Sequence, residues 1–323
     1  MRPTLLIIAL LLTLTACAQP EPTIDVRVCD EENNITCTGP ATPEMKLTMF
    51  SVGQGQSVLI QIPQDNPGNP LNAYESNILY DAGPKIRDHD LPGTIDQLII
   101  SNPDKDHLAG AAWVLDTKQV QRFIEPYVLP CETKTCILVR EKVFAEPGIE
   151  ITHKFAGSRI YKADTPRVGW KTCTDGTNNF TIVTLVNRFT PIIEYLNPDP
   201  LEPFNNDNDN SIVLLVTYGN TTILLMGDCE KACEDRLVEK LYPRNVDVLV
   251  VPHHGSKTSS SAAFLAMTRP KISLISVGKD NQYGHPSQEV ITRLETYGEV
   301  YRTDKDGTIE IITDGGTIHV KKQ

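Results

Sequence analysis

The order of strand-like and helix-like segments predicts an α/β fold in which two sheets are sandwiched between helices. Three observations carry this expectation. Strands outnumber helices, and helices fall between strands in both halves of the chain. Apolar-rich runs such as 95–100 and 246–251 read as buried strands. The polar residues with chemical potential fall at the ends of such strands, where layered α/β folds place their sites.

Taken in order, Lys46–Phe50 and Ser57–Ile62 read as strands flanking the turn Gly53-Gln54-Gly55. Asn77–Asp81 is a third strand, ending at Asp81-Ala82-Gly83. Ile95–Ile100 follows, then the loop Ser101-Asn102-Pro103-Asp104-Lys105-Asp106-His107, then a helix from about Ala109 to Leu115. Residues 117–180 show few clear periods and are expected to form an irregular insertion over the rim of a site. The second half opens with strands at Thr181–Leu185 and Ile192–Leu196. Ser211–Thr217 and Thr221–Met226 form a hairpin around Tyr218-Gly219-Asn220. A helix near Glu230–Leu241 and the strand Val246–Val251 lead into Pro252-His253-His254-Gly255. A helix near Ser260–Met267, a strand near Ile272–Val277, a helix near Ser287–Thr296 and a closing hairpin complete the chain. The Asn/Asp/Pro-rich segments 64–73 and 197–210 read as loops.

The 323 residues and their 40% hydrophobic content are enough for a large core. A formal net charge of -11 gives no basic footprint for nucleic acid, so a polyanionic substrate needs local neutralisation by metal and a few lysines. Arg2 followed by an apolar run and small residues describes a secretory signal over residues 1–17. Leu14-Thr15-Ala16-Cys17 resembles the lipobox of bacterial lipoproteins. That resemblance implies lipidation at Cys17 and, with Ala18 after it, an outer-membrane anchor facing the periplasm. Residues 18–44 are polar and Pro-rich and read as a tether, leaving 45–323 as the folded domain.

Eight cysteines in an exported chain suggest disulfides rather than a metal site, because C-x-x-C spacing is absent. Cys29 with Cys37 and Cys131 with Cys136 are plausible pairs. Cys229 could join Cys233, or Cys173 could take one of them.

Two divalent cations about 3.5–4 Å apart, held by histidines and carboxylates, are the equipment of a two-metal hydrolase. The candidates are Asp104, Asp106, His107, Asp228, His253, His254 and His285, which include four of the seven histidines. Asp228 also reads as a helix cap. His253 and His254 end a strand as neighbours, where the alternation of faces loosens, so which one faces a metal stays open. We take His253 as the ligand, and His254 with Lys257 as the groups that serve a leaving oxygen. Ser256–Ser261 reads as the opening of a helix whose free N–H groups, with Lys257, would cradle a phosphate. His285, before Pro286, suits a ligand or a proton donor, and Asp81 suits an orienting role.

These residues sit in Val52-Gly53-Gln54-Gly55, Tyr80-Asp81-Ala82-Gly83, the 101–107 loop, Asn210-Ser211, Met226-Gly227-Asp228, His253-His254-Gly255-Ser256, Tyr283-Gly284-His285-Pro286 and the 301–307 segment. In this order they resemble the metallo-β-lactamase superfamily, and within it the extracellular domain of the ComEC/Rec2 competence proteins. The resemblance implies an αββα sandwich with metals on one edge, and phosphodiester hydrolysis. It implies Asp104 as a first-metal ligand, Asp106 and His107 as second-metal ligands, and Asp228 as the bridge.

The chain departs from that pattern at Asn102, where the family usually has His, and at Ser51 and Gln56, where it has Asp. A neutral amide oxygen is a poor substitute for imidazole, so the first metal position should be the weaker. The oxygen-rich donor set moves preference from zinc toward manganese or magnesium; the expectation is one or two divalent ions, Mn or Zn. The leading functional expectation is an exported, lipid-anchored hydrolase of phosphodiesters in nucleic acid or a nucleotide. The alternatives are a lactone, thioester or β-lactam hydrolase of the same fold, and a catalytically silent envelope binding protein.

Overall fold

A computed structural model describes residues 36–38, 43–63, 74–126, 131–154, 156–160, 167–174, 179–186, 191–240 and 245–323. The expected signal with its lipobox Cys17, and Cys29, lie outside the described residues, as does nearly all of the tether. The strands are β1 (Thr36–Thr38), β2 (Met45–Met49), β3 (Val58–Pro63), β4 (Tyr74–Tyr80), β5 (Thr94–Ile99), β6 (Gln119–Pro126), β7 (Glu150–Lys154), β8 (Arg159–Ile160), β9 (Arg167–Thr174) and β10 (Asn179–Val186). They continue as β11 (Ile192–Asn197), β12 (Val213–Tyr218), β13 (Thr221–Leu225), β14 (Val248–Val250), β15 (Ile272–Ile275), β16 (Glu299–Arg302), β17 (Ile309–Thr313) and β18 (Ile318–Lys322). The helices are α1 (Lys105–Leu108), α2 (Ala111–Thr117), α3 (Lys134–Ala145), α4 (Lys231–Lys240), α5 (Ala262–Thr268), α6 (Gln288–Glu295) and α7 (Thr303–Asp306).

The chain divides into two units. The smaller contains residues 1–40 and 167–186, where β1, β9 and β10 form a three-stranded antiparallel sheet with Cys37 opposite Cys173 in the backbone register. The larger, residues 41–166 and 187–323, holds an eight-stranded sheet in the order β18-β17-β2-β3-β4-β5-β6-β7 and a seven-stranded sheet in the order β16-β15-β14-β13-β12-β11-β8. Within each sheet an antiparallel part adjoins a parallel part. β4 to β7 run parallel in the first, and β13 to β16 in the second.

Strand alternation sorts the apolar residues into three layers. Leu47, Met49, Ile60, Ile78, Tyr80, Val216, Ile223, Leu225, Val248 and Leu274 meet between the sheets. The alternate residues Leu59, Leu79 and Leu98 face α1, α2 and α3 through Leu108, Val114, Val139 and Val143. Leu224, Leu249 and Ile275 face α4, α5 and α6 through Leu237, Leu265, Val290 and Leu294. Strands buried on both faces read as near-continuous apolar runs, which is why 246–251 was legible as a strand. The result is the expected αββα sandwich.

The expectation of an irregular insertion over 117–180 needs correction. Residues 119–126 and 150–154 are β6 and β7 at the end of the eight-stranded sheet, and α3 between them is a three-turn crossover helix. Two features hid them. β6 opens on polar residues, and α3 exposes Ile137, Leu138 and Phe144 while burying Val139 and Val143, so its apolar residues ring the helix instead of marking one face. Among the described residues no helix is long and apolar enough to cross a membrane.

Candidate metal centre

Parallel strands deliver their side chains to one edge, the edge at their C-terminal ends. Asp81 follows β4, the 101–107 loop follows β5, Asp228 follows β13, His253 and His254 follow β14, and Ser276 follows β15. The two halves touch where Gly227 passes Ser101. A Cβ on Gly227 would lie 2.9 Å from the Ser101 side chain, and its φ of +55° is one that glycine adopts freely.

Asp81, fully buried with φ +61°, organises the first half. Its carboxylate accepts from Ser101 N at 2.7 Å, Ser101 Oγ at 2.8 Å, Gln56 Nε2 at 3.1 Å and His107 Nδ1 at 2.8 Å. With Nδ1 tied to Asp81, His107 directs Nε2 to Asp228 Oδ1 at 3.0 Å. His254 repeats this logic in the second half. Its Nδ1 lies 2.7 Å from the Ser276 carbonyl, which leaves Nε2 as the nitrogen facing Asp106 Oδ2 at 3.3 Å and Asp228 Oδ1 at 3.8 Å. A second-shell acceptor on one imidazole nitrogen is how proteins present the other to a cation.

His107 Nε2, His254 Nε2 and Asp228 Oδ1 are buried and make no hydrogen bond, although Asp228 Oδ1 stands within ion-pair distance of both imidazole nitrogens. Leaving such groups unsatisfied costs free energy. Donor atoms of Asp106, His107 and His254 lie within 4.8 Å of one another. Two imidazole nitrogens and the Asp106 carboxylate converge, with Asp228 against both imidazoles, and this donor set fits a divalent cation, zinc as well as manganese.

The electrostatics follow from this crowding. Burial opposes the charge on Asp228, yet His107, His254 and His253 outweigh it and hold the carboxyl well below its ordinary range. Asp106 is also lowered: burial pushes it up, but its close contact with His254 and the charge of His107 prevail. Burial would lower His107 and His254; Asp228 and Asp81 raise the first, and Asp106 and Asp228 the second. His285 is lowered by burial and by His253 and His254. Burial pushes Asp104 up, reinforced by Asp228 and Asp106.

The structure therefore brings together Asp106, His107, Asp228 and His254. The adjacent histidines take the opposite positions to those expected. His254, assigned to catalysis, sits in the cluster, whereas His253, assigned as a ligand, turns Nδ1 to Glu230 Oε1 at 3.0 Å. Both have positive φ, 49° and 54°, so the alternation of an extended strand does not apply to them. His285 borders the cluster, its ring 5.6 Å from that of His253. Asp104 stands at the N-terminus of α1, half-buried and outside the converging set. Asn102 is buried and spent internally: its Oδ1 accepts from Asp104 N and its Nδ2 reaches Ser211 Oγ.

Lys257 is exposed and, among the described residues, no hydrogen bond or ion pair joins it to the cluster. The phosphate cradle also needs correction. α5 starts at Ala262, and the N–H groups of Ser260 and Ser261 before it are taken by the buried carboxylate of Glu234. Asp228 is not a helix cap, since the N–H groups of Glu230 and Cys233 at the start of α4 donate to Asp209. Glu230 and the Ser276 carbonyl escaped sequence reading, because a carboxylate or carbonyl that serves a distant histidine has no local pattern.

Comparison with known proteins agrees with this architecture. Residues 198–279, which contain Asp228, His253 and His254, match the metallo-beta-lactamase superfamily model. The chain has the metallo-β-lactamase fold. It resembles the competence proteins, being 27% identical over 287 residues to ComE operon protein 3 of Bacillus subtilis, across 83% of this chain and 33% of that protein. Competence protein ComA of Neisseria gonorrhoeae is 36% identical over 132 residues, covering 40% of this chain and 19% of that one. The chain thus spans a third or less of the length of these relatives. A metallo-beta-lactamase fold protein from Bacillus subtilis, YhfI, superposes with a TM-score of 0.49 at 13% identity, covering 86% of this chain and all of that one.

Proposed function

We propose that this metallo-β-lactamase-fold chain is an exported metal-dependent hydrolase of phosphodiesters, anchored to the membrane by lipid at Cys17. The observation that carries the catalytic reading is the convergence of His107 Nε2, His254 Nε2 and Asp228 Oδ1, buried and without hydrogen bonds. Asp106, His107, Asp228 and His254 would hold one divalent ion, zinc or manganese. When bound, such an ion supplies Lewis acidity toward a phosphoryl oxygen. The chain's own groups do the rest. Asp81 and the Ser276 carbonyl fix the tautomers of His107 and His254. Glu230 holds His253 by Nδ1, so His253 has Nε2 available to pass a proton to the leaving oxygen, the role first given to His254 and Lys257. Asn102, already engaged, leaves the first metal position of the family pattern short of a ligand, which favours a single ion.

The test combines metal content with turnover. Protein loaded with Zn²⁺ or Mn²⁺ and desalted should retain about one ion per chain and cleave bis(p-nitrophenyl) phosphate. His254→Ala should lose the ion and the activity together, whereas His253→Ala should keep the ion and lose about a hundredfold in kcat. Retention of no ion, or turnover of nitrocefin or a lactone without phosphodiester cleavage, would overturn this reading.

A further inference from the structure

Tyr283 is 62% exposed, unusual for so large a ring on the rim of a buried centre. Its ring lies nearly parallel to that of His285, with 16° between planes and 5.9 Å between centroids. His285 stands edge-on to His253 at 5.6 Å, and His253 is 6.4 Å from His254 in the cluster. Four rings thus run from the buried centre to solvent, with Tyr283 outermost.

The segment that carries Tyr283 is held in place. Asn281 Nδ2 donates to the carbonyls of Gly278 and His285, and Asn281 Oδ1 accepts from the N–H groups of Tyr283 and His285. The segment also docks on the turn at Gly53-Gln54. Gly278 N donates to Gln54 Oε1 at 3.2 Å, and a Cβ at Gly278 would lie 2.6 Å from Gln54 N. Two exposed lysines flank this contact: Lys279 follows Gly278, and the Lys85 side chain comes within 3.5 Å of where a Cβ on Gly53 would sit. A fixed, flat, solvent-facing ring on a segment docked between exposed cations offers a grip on a nucleotide unit without reading its sequence, because every base has a π-face.

We propose that Tyr283, backed by His285, is the platform on which the planar base of a nucleotide unit stacks while its phosphodiester lies at the metal cluster. This rests on the phosphodiesterase reading above and narrows its substrate class to base-bearing phosphodiesters, with Lys85 and Lys279 facing neighbouring phosphates. Those lysines supply locally the positive charge that a chain of net charge -11 lacks as a whole.

The test separates stacking from hydrolysis. Binding of fluorescein-labelled (dT)8 and of an abasic octamer is measured by anisotropy with full-length, metal-loaded protein, and thymidine 5′-monophosphate is used as a competitor. Wild type should prefer (dT)8 to the abasic strand. Tyr283→Ala should weaken (dT)8 binding by roughly ten- to a hundredfold and erase the preference, while Tyr283→Phe, which keeps the ring, should retain it. Competition by the monophosphate alone would identify a free nucleotide as the source of the base, and no competition a strand. In parallel, the ratio of kcat/KM for thymidylyl-thymidine to that for its abasic analogue should fall toward unity in Tyr283→Ala. Equal binding of the two octamers by wild type, no binding of either, or an unchanged preference in Tyr283→Ala would overturn the platform. A base preference lost in Tyr283→Ala, with no phosphodiester cleaved by wild type, would overturn hydrolysis and uphold the platform.

Discussion

At the residue scale the centre is a set of charges that stabilise one another only in the folded chain. Asp106 and Asp228 have carboxyls lowered by neighbouring imidazoles, so they stabilise the fold above about pH 4, and that contribution is lost as pH falls through their native values. His107 and His254 are raised by carboxylates, so their contribution is complete below about pH 6.5 and lost as pH rises through their native values. Asp81 and Asp104, pushed up by burial, act in the opposite sense and soften the acid-side loss. Metal-free protein should therefore show its highest urea midpoint between about pH 4 and pH 6.5. Metal-loaded protein should lose the decline on the alkaline side, because the ion replaces the protons that the imidazoles would release. Urea unfolding from pH 3 to 9, with and without chelator, reads both effects. Much of this centre was legible: Asp106, His107, Asp228 and the His-His pair stand in short motifs at strand ends. The facing direction of each histidine was not, because it depends on the backbone conformation of two residues and on acceptors up to 26 positions away in sequence.

At the element scale, the helices are fixed by distant caps. Asp209, in a segment that reads as a polar loop, lies 2% exposed and accepts from the N–H groups of Glu230 and Cys233, both at 3.0 Å. It therefore sets the start of α4 and, through Glu230, the orientation of His253. Asp209→Ala should lower unfolding free energy by about 2 kcal/mol in urea denaturation, the upper range for losing a buried cap. A drop within error of zero would show that water replaces the carboxylate. The Cys229–Cys233 disulfide staples the same turn, immediately after Asp228. Its four-residue spacing made the pair one of two sequence readings, and the pairing excludes Cys173 from that bridge. Cys131–Cys136 pairs as the spacing suggested.

At the scale of the whole molecule, the two sheets close on a core assembled from both ends of the larger unit. β17 pairs with β2, setting Ile309 opposite Met49 and Ile311 opposite Leu47, all fully buried. Ending the chain after Gly307 would bare the β2 edge and remove two core isoleucines, so the truncated protein should be insoluble or lack a cooperative melting transition by circular dichroism. A soluble product with a sharp transition would show that the closing hairpin is dispensable. The sandwich itself was readable because buried strands advertise themselves as apolar runs. The third crossover of the first sheet was not, since β6 begins polar and α3 carries apolar residues all around.

Asp81, His253 and His254 are three of the five non-glycine residues with positive φ among the described residues. For an L-residue that conformation costs about 1–2 kcal/mol, and asparagine or glycine would bear it more comfortably. At His253 the backbone of the centre thus works against thermostability. His253→Gly should melt at a higher temperature than the natural chain while working less well. A lineage selected only for endurance would drift toward glycine or asparagine at His253, the half-buried member of the three, while the buried partners of Asp81 and His254 hold those two in place.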